Sequence, residues 1–408
     1  MTPPASSRQL AWLAVASAAI LMITMGVRQT SGLYLLPVTQ TTGVSIVSMS
    51  FALAVGQFMF GAAQPVFGAL ADKFGSVLVI VTGAALMALG AILTPFMTSP
   101  AGLLLTMGIF SAAGTAAGSF SILIGVTAQR LPPERRSFAA GFINAGGSMG
   151  QFVFAPIVQA IIGAAGWMSA MFATAAAALL TIPLAIVLRM RPGDAQALAK
   201  AHAAAPQSLS QQIAEAMGDR SYLLLHAGFF TCGFHIAFLV THLPSDLQLC
   251  GLSASVAANS LALIGLANVI GSLGAGWLGQ RYRMKNLLAL IYGSRAVIVA
   301  IYMVMPKTAF NVYLFAAGLG VTWLATVPPT SGIVGKLFGT RYLGTLFGLT
   351  LVSHQAGGFL GAWLGGVALA RSGSYEWIWY ADIALALLAA VANLPIREAK
   401  VMPRVVTA

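Results

Sequence analysis

An arginine stands at position 28, in the segment GVRQTSGLYLLP, inside an apolar run that starts at Leu10 and meets no other charge before Asp72. A guanidinium keeps its charge at physiological pH and costs roughly 2.5 to 3.5 kcal/mol at the centre of a bilayer helix on insertion scales, so its place needs an offset. Its planar fork matches a carboxylate through two parallel hydrogen bonds. His235 and His354 lie in equally apolar surroundings, and imidazole changes charge near neutrality. The uncharged polar residues Gln57, Asn144, Ser148, Gln151, Asn268, Ser353 and Gln355 fall near the middle of other apolar stretches. Such a set can bind a small anion and carry a proton. It contains no nucleophile with a base, no phosphate-cradling glycine loop and no metal-ligand spacing, so neither an enzyme nor a metal or cofactor is expected.

The elements that hold these residues must sit in lipid. Of 408 residues 58% are hydrophobic and only 7% charged, against about 25% charged in soluble domains. Strand alternation is absent and Ala, Leu and Gly abound, which points to an all-α membrane protein rather than a barrel. Twelve spans are predicted, centred near residues 23, 56, 86, 113, 150, 178, 233, 265, 295, 322, 356 and 385. The polar stretch between the sixth and seventh gives the division 1–190, linker 191–220 and 221–408, with a short surface helix predicted near Leu209 to Met217. A net charge of +12 could suggest nucleic acid, but placement excludes it. With the N-terminus in the cytoplasm, all basic residues except Arg28, Arg295, Lys307 and Arg371 fall on the cytoplasmic side, as the positive-inside rule requires. Both termini are then cytoplasmic, and a monomer in the lipid bilayer is expected. Cys232 and Cys250 give no disulfide framework.

The sequence matches itself at an offset of about 207 residues. TMGVRQTSGLYLLP from Thr24 meets TCGFHIAFLVTHLP from Thr231, GALADKFG meets GWLGQRYR with one residue of slippage, and GFINAGGSMGQF meets GLTLVSHQAGGF. Three landmarks near one offset establish an internal repeat of six spans, a transporter plan whose ligand site lies near the midplane between the halves. Arg28 and His235 then occupy equivalent depths in the first and seventh spans. In the first half, acids occur only in loops, at Asp72, Glu134 and Asp194. The counter-charge of Arg28 is therefore expected from a bound anion, the alternative being neighbouring carbonyls and amides.

Over essentially its whole length the chain resembles the major facilitator superfamily, and GALADKFG resembles that superfamily's loop motif between the second and third spans. The resemblance implies two pseudo-symmetric six-helix bundles and a latching role for Gly68, Asp72, Lys73 and Gly75. The second copy departs from it with Gln280 in place of the acid. It also implies that the ninth and twelfth spans are neighbours, hence a structural Arg295–Asp382 ion pair. GVRQTSGLYLLP, GFHIAFLVTHLP and LVSHQAGGFLGAWLGG resemble the bacterial organic-anion branch, similar to monocarboxylate and oxalate:formate carriers. The expected function is transport of small carboxylates across the bacterial inner membrane, by proton symport or anion exchange. Arg28, Gln57, Asn144, Gln151, His235, Asn268, His354 and Gln355 are the candidate binding residues, and His235 and His354 the candidate proton carriers. An efflux pump for drugs or hydrophobic metabolites is the alternative.

Overall fold

The computed structural model describes residues 7–128, 133–189, 208–339 and 342–398, without the side chains at 7–10, 69, 72, 73, 125, 128, 133–138 and 140. Every regular element among them is helical. Ten segments are long and apolar enough to cross a membrane. One of these, Gly141–Val187, is two helices divided at Gly166, whose φ of 81° suits a residue without a Cβ. A further 30-residue helix, Leu343–Ser372, carries polar residues mid-length and is not among the ten. The spans are α1 (Ala11–Thr42), α2 (Ile46–Phe74), α3 (Ser76–Leu93), α4 (Pro100–Ile124), α5 (133–165), α6 (167–187), α7 (Arg220–Leu249), α8 (Ala254–Arg281), α9 (Met284–Val304), α10 (Ala309–Phe338), α11 (Leu343–Ser372) and α12 (Glu376–Asn393). Loop residues start the helices: the side chains of Ser45, Ser99, Asp219, Ser253 and Thr308 each accept an N–H of the first turn. The predicted surface helix is present at Leu209–Met217, opened by a reciprocal Ser208–Gln211 cap and tied to α10 through Gln212 Nε2 donating to the Phe338 carbonyl at 2.8 Å.

The repeat seen in the sequence is a repeat of packing. In the first bundle α1 lies so close to α5 that a Cβ on Gly150 would stand 2.1 Å from the Met22 carbonyl oxygen. In the second, α7 lies against α11, and a Cβ on Gly357 would stand 1.9 Å from the Phe230 oxygen. Without a hydrophobic drive between helices in lipid, close backbone approach at small residues is what holds such pairs. Both halves also break one helix at matching positions. α4 is interrupted at Gly118–Ser119, where Thr24 donates its hydroxyl to the Gly118 carbonyl at 2.9 Å. α10 is interrupted over Trp323–Thr326, where Cys232 Sγ lies 3.4 Å from Thr326 Oγ1. Broken backbone in the membrane is tolerated where protein groups satisfy it.

Among the described residues, the halves meet chiefly through three helix pairs. α2 lies along α11, with the Phe51 ring edge-on to Phe359 and Trp363 and Ser50 against Gly366. α5 meets α8 where Asn268 Nδ2 donates to Ser148 Oγ at 2.9 Å. The outer part of α1 meets α7 at Gly32, where a Cβ would fall 2.0 Å from the Val240 oxygen. Contacts at Ser50, Gly32 and Gly366 seal the side away from the linker.

Candidate functional site

Arg28 is the last but one residue of the first helical stretch of α1, which ends at Gln29 and gives way to a 3-10 turn at Ser31–Tyr34. Thr30 offers its hydroxyl to the carbonyls of Gly26 and Val27, at 2.9 and 3.1 Å. The guanidinium is half-buried. Its Nη2 donates to Oε1 of Gln57 on α2 and, at 3.5 Å, to Oε1 of Gln355 on α11. Its face lies 4.2 Å from the centroid of the Phe60 ring, a cation–π contact. Among the described residues no Asp or Glu pairs with it. Neutral amides and an aromatic face leave the positive charge without an opposite one.

Two cavities adjoin this cation. One, of about 130 Å³, lies between the halves and is lined by Arg28, Asn144, Gln151, Asn268, His354 and Gln355 together with apolar side chains such as Met25, Phe229 and Leu351. The other, of about 60 Å³, lies within the first bundle and is lined by Arg28, Ser31, Tyr34, Gln57, Thr94, Thr115 and Thr174, among others. Tyr34 and Thr174 share a hydrogen bond of 3.0 Å there. Met107 and Ser111, from a π-helical stretch Leu104–Ser111 of α4, complete its wall; such stretches recur at functional sites. Chain direction orders the two: the larger cavity takes α1 residues from Leu21 to Gln29 and lies toward the linker, and the smaller takes those from Val27 to Tyr34 and lies toward the opposite face. Around the larger one Arg28 Nε, Gln29 Oε1, Gln151 Nε2 and His354 Nδ1 are buried without a hydrogen-bond partner among the described residues. Such buried polar groups ordinarily have a partner, and their residues line the same cavity.

Of the residues expected at the site, Arg28, Gln57 and Gln355 come together directly, and Asn144, Gln151 and His354 share the larger cavity. Asn268 lines it too, yet its amide is committed to Ser148, to the Ser272 hydroxyl at 3.0 Å and to the Leu324 N–H at the break of α10, also at 3.0 Å. It ties α5, α8 and α10 together. His235 does not face either cavity. It is wholly buried in the second bundle, with Nδ1 2.6 Å from Asp382 Oδ2, so its assignment to substrate binding is corrected. The expected Arg295–Asp382 pair is corrected as well. Asp382 is taken by His235, and Arg295 directs Nη2 to the carbonyls of Thr322 and Trp323, at 2.6 and 3.0 Å, freed where α10 breaks. Ser353 bonds His226 Nδ1 at 2.7 Å. Gly75, with φ 89°, forms the sharp turn between α2 and α3; the side chains of Asp72 and Lys73 lie outside the described residues.

Sequence reading missed several groups. Gln29, adjacent to Arg28, lines the larger cavity, and the hydroxyls of Thr94, Thr115 and Thr174 line the smaller. Their signal is weak, because isolated threonines occur on most helices. Asp246, near the outer end of α7, is a second buried acid besides Asp382, held by the Tyr302 hydroxyl at 2.8 Å. In the loop beyond α9, Lys307 rests its ammonium 3.6 Å from the Tyr302 ring centroid. Burial there pushes the Lys307 pKa below the ordinary lysine value, and the Asp246 charge opposes that shift.

Two helical bundles in lipid, closed on one side and hollow around a central cation, define a membrane carrier. The model of the Major Facilitator Superfamily matches residues 14–362, and the chain belongs to that family. It is 28% identical over 339 residues to monocarboxylate transporter 13 of Rattus norvegicus, covering 80% of this chain and 73% of that one. It is 26% identical over 360 residues to the oxalate:formate antiporter of Oxalobacter formigenes, covering 86% and 84%. Among solved structures, the D-xylose-proton symporter superposes with a TM-score of 0.75 at 13% identity, covering 96% of this chain and 98% of that one. That likeness concerns the fold alone.

Proposed function

We propose that this carrier moves small organic anions of the monocarboxylate kind across the cytoplasmic membrane of a bacterium, as a monomer with both termini in the cytoplasm. The observation that carries the reading is Arg28: a permanent cation bordering both cavities, with no carboxylate partner among the described residues. A carboxylate seated on its fork supplies the missing charge, with Gln57, Gln355, Gln151 and Asn144 hydrogen-bonding the remainder. Alternating access follows from the halves 1–190 and 221–408 rocking about this point, joined by the linker 191–220, with the Gly68–Gly75 segment latching one state. Coupling is to protons or to a counter-anion. His354 on the cavity and His235 behind it are the imidazoles able to carry a proton. The names of the two relatives, a monocarboxylate transporter and an oxalate:formate antiporter, support the substrate class.

The test is counterflow into proteoliposomes preloaded with formate, lactate, oxalate or succinate. Exchange of at least one carboxylate, and its severe weakening in Arg28→Lys, is expected. A second reading, efflux of hydrophobic compounds, draws on the apolar walls of the larger cavity, where Met25, Phe60, Phe120, Phe229, Phe347 and Leu351 lie. Expulsion of a lipophilic dye with no carboxylate exchange would replace the first reading by the second.

A further inference from the structure

The second bundle holds a charged cluster that borders neither cavity. His235 on α7, Arg295 on α9 and Asp382 on α12 are each 0% exposed. His235 and Asp382 share a contact of 2.6 Å, and Arg295 holds the Thr322 and Trp323 carbonyls. Yet His235 Nε2, Asp382 Oδ1, and Arg295 Nε and Nη1 have no hydrogen-bond partner among the described residues. A buried polar network satisfied only in part is costly, and these atoms are free to take another partner. The groups facing the cluster are Cys232 on α7, Tyr292 on α9 at 5.5 Å from the guanidinium carbon, Trp323 and Thr326 on α10, and His354 on α11. Asp382 is the acid among them.

We propose that the His235–Asp382 pair is the proton-binding site of the carrier and that Arg295 transmits its charge to α10. The proposal rests on the transport reading above. On this proposal the observed arrangement, with Arg295 on the two carbonyls, is that of the protonated and neutral pair. When the proton leaves, to water that reaches the pair as the halves rock, the pair carries one negative charge and draws Nε and Nη1 of Arg295 toward Asp382 Oδ1. The carbonyls of Thr322 and Trp323 then need other partners, so the break in α10 must change shape. Leu324 and Val327, beyond those carbonyls, line the linker-side cavity, which carries the change to the anion site. A monoanion on Arg28 and a proton on the pair cross together with no net charge.

Two measurements test this. Proteoliposomes of wild type, Asp382→Asn and His235→Gln are compared in carboxylate counterflow and in accumulation driven by a pH gradient, alkaline inside. Both variants are expected to keep counterflow and lose pH-driven accumulation; glutamine can still donate to Asp382 but binds no proton. Survival of pH-driven accumulation in either variant overturns the proposal, as does a wild type that exchanges anions without any proton drive. The second measurement needs no substrate. The Trp323 ring centroid lies 6.0 Å from that of His235, so purified protein is expected to show a pH-dependent step in indole fluorescence. That step should vanish in Trp323→Phe and in His235→Gln. Its absence from wild type, or its persistence in His235→Gln, overturns the site whether or not carboxylates are carried. A wild type without counterflow, by contrast, removes the anion reading and leaves the fluorescence result to decide the pair.

Discussion

Arg28 and Gln355 meet across the boundary between the halves, Nη2 lying 3.5 Å from Oε1. One comes from α1 and the other from α11, so the cation that borders both cavities is also a contact between the two halves. At 3.5 Å the contact is at the limit of a hydrogen bond, so the neutral amide can release the guanidinium at small cost.

Arg28→Lys keeps the charge and loses the two-pronged donor. Charge-assisted hydrogen bonds contribute about 1.5 to 3 kcal/mol, so the apparent affinity for a carboxylate should fall roughly tenfold to a hundredfold. Counterflow at varied anion concentration measures this. Unchanged affinity in the lysine variant would refute the fork.

Asn268→Ala should lower stability rather than affinity alone. It strips partners from Ser148, Ser272 and the Leu324 N–H in the interior, for a loss of about 1 to 3 kcal/mol for each buried group left unsatisfied. Thermal unfolding in detergent would register the change as a lower midpoint, and an unaltered midpoint would show that the ties are dispensable.

Gly150→Ala and Gly357→Ala should fail alike. Each added methyl meets a backbone oxygen, at 2.1 and 1.9 Å, and overpacking of this kind costs about 1 to 3 kcal/mol or more. Gly163→Ala, with nothing within 4 Å of the new carbon, is the control. Size-exclusion profiles of the three proteins compare them; equal behaviour of all three would deny that the glycines set the helix spacing.

Gly32→Ala should weaken the seal opposite the linker by pushing α1 off the Val240 carbonyl of α7. Ser50, wholly buried against Gly366, reports on that seal when replaced by cysteine. Faster labelling of Ser50→Cys by an impermeant maleimide in the Gly32→Ala background is expected, and equal rates would place the seal elsewhere.

Much of the architecture was legible in the sequence because each part of it is local or periodic. Lipid demands long apolar helices, and the offset near 207 residues placed Gly150 opposite Gly357 before any coordinates did. Arg28 was legible too, since a guanidinium in such a run is costly wherever the chain folds. The partner of Asp382 was not. Arg295 and His235 lie on different helices, both near Asp382, and only the fold decides which one reaches the carboxylate. The break in α10 was equally hidden: WLATVPP reads as a helix start at its prolines, and nothing in it says that Arg295 will hold the carbonyls before them. Asp246 looked like a residue near a helix end, and Tyr302 is what makes it interior.

The two hollows flank a single guanidinium, one on the linker side and the other beyond it. On the proposed reading, a passenger on that group changes sides by pivoting with the arginine's own torsions while the bundles tilt around it, a handover at one post instead of a journey along a tunnel.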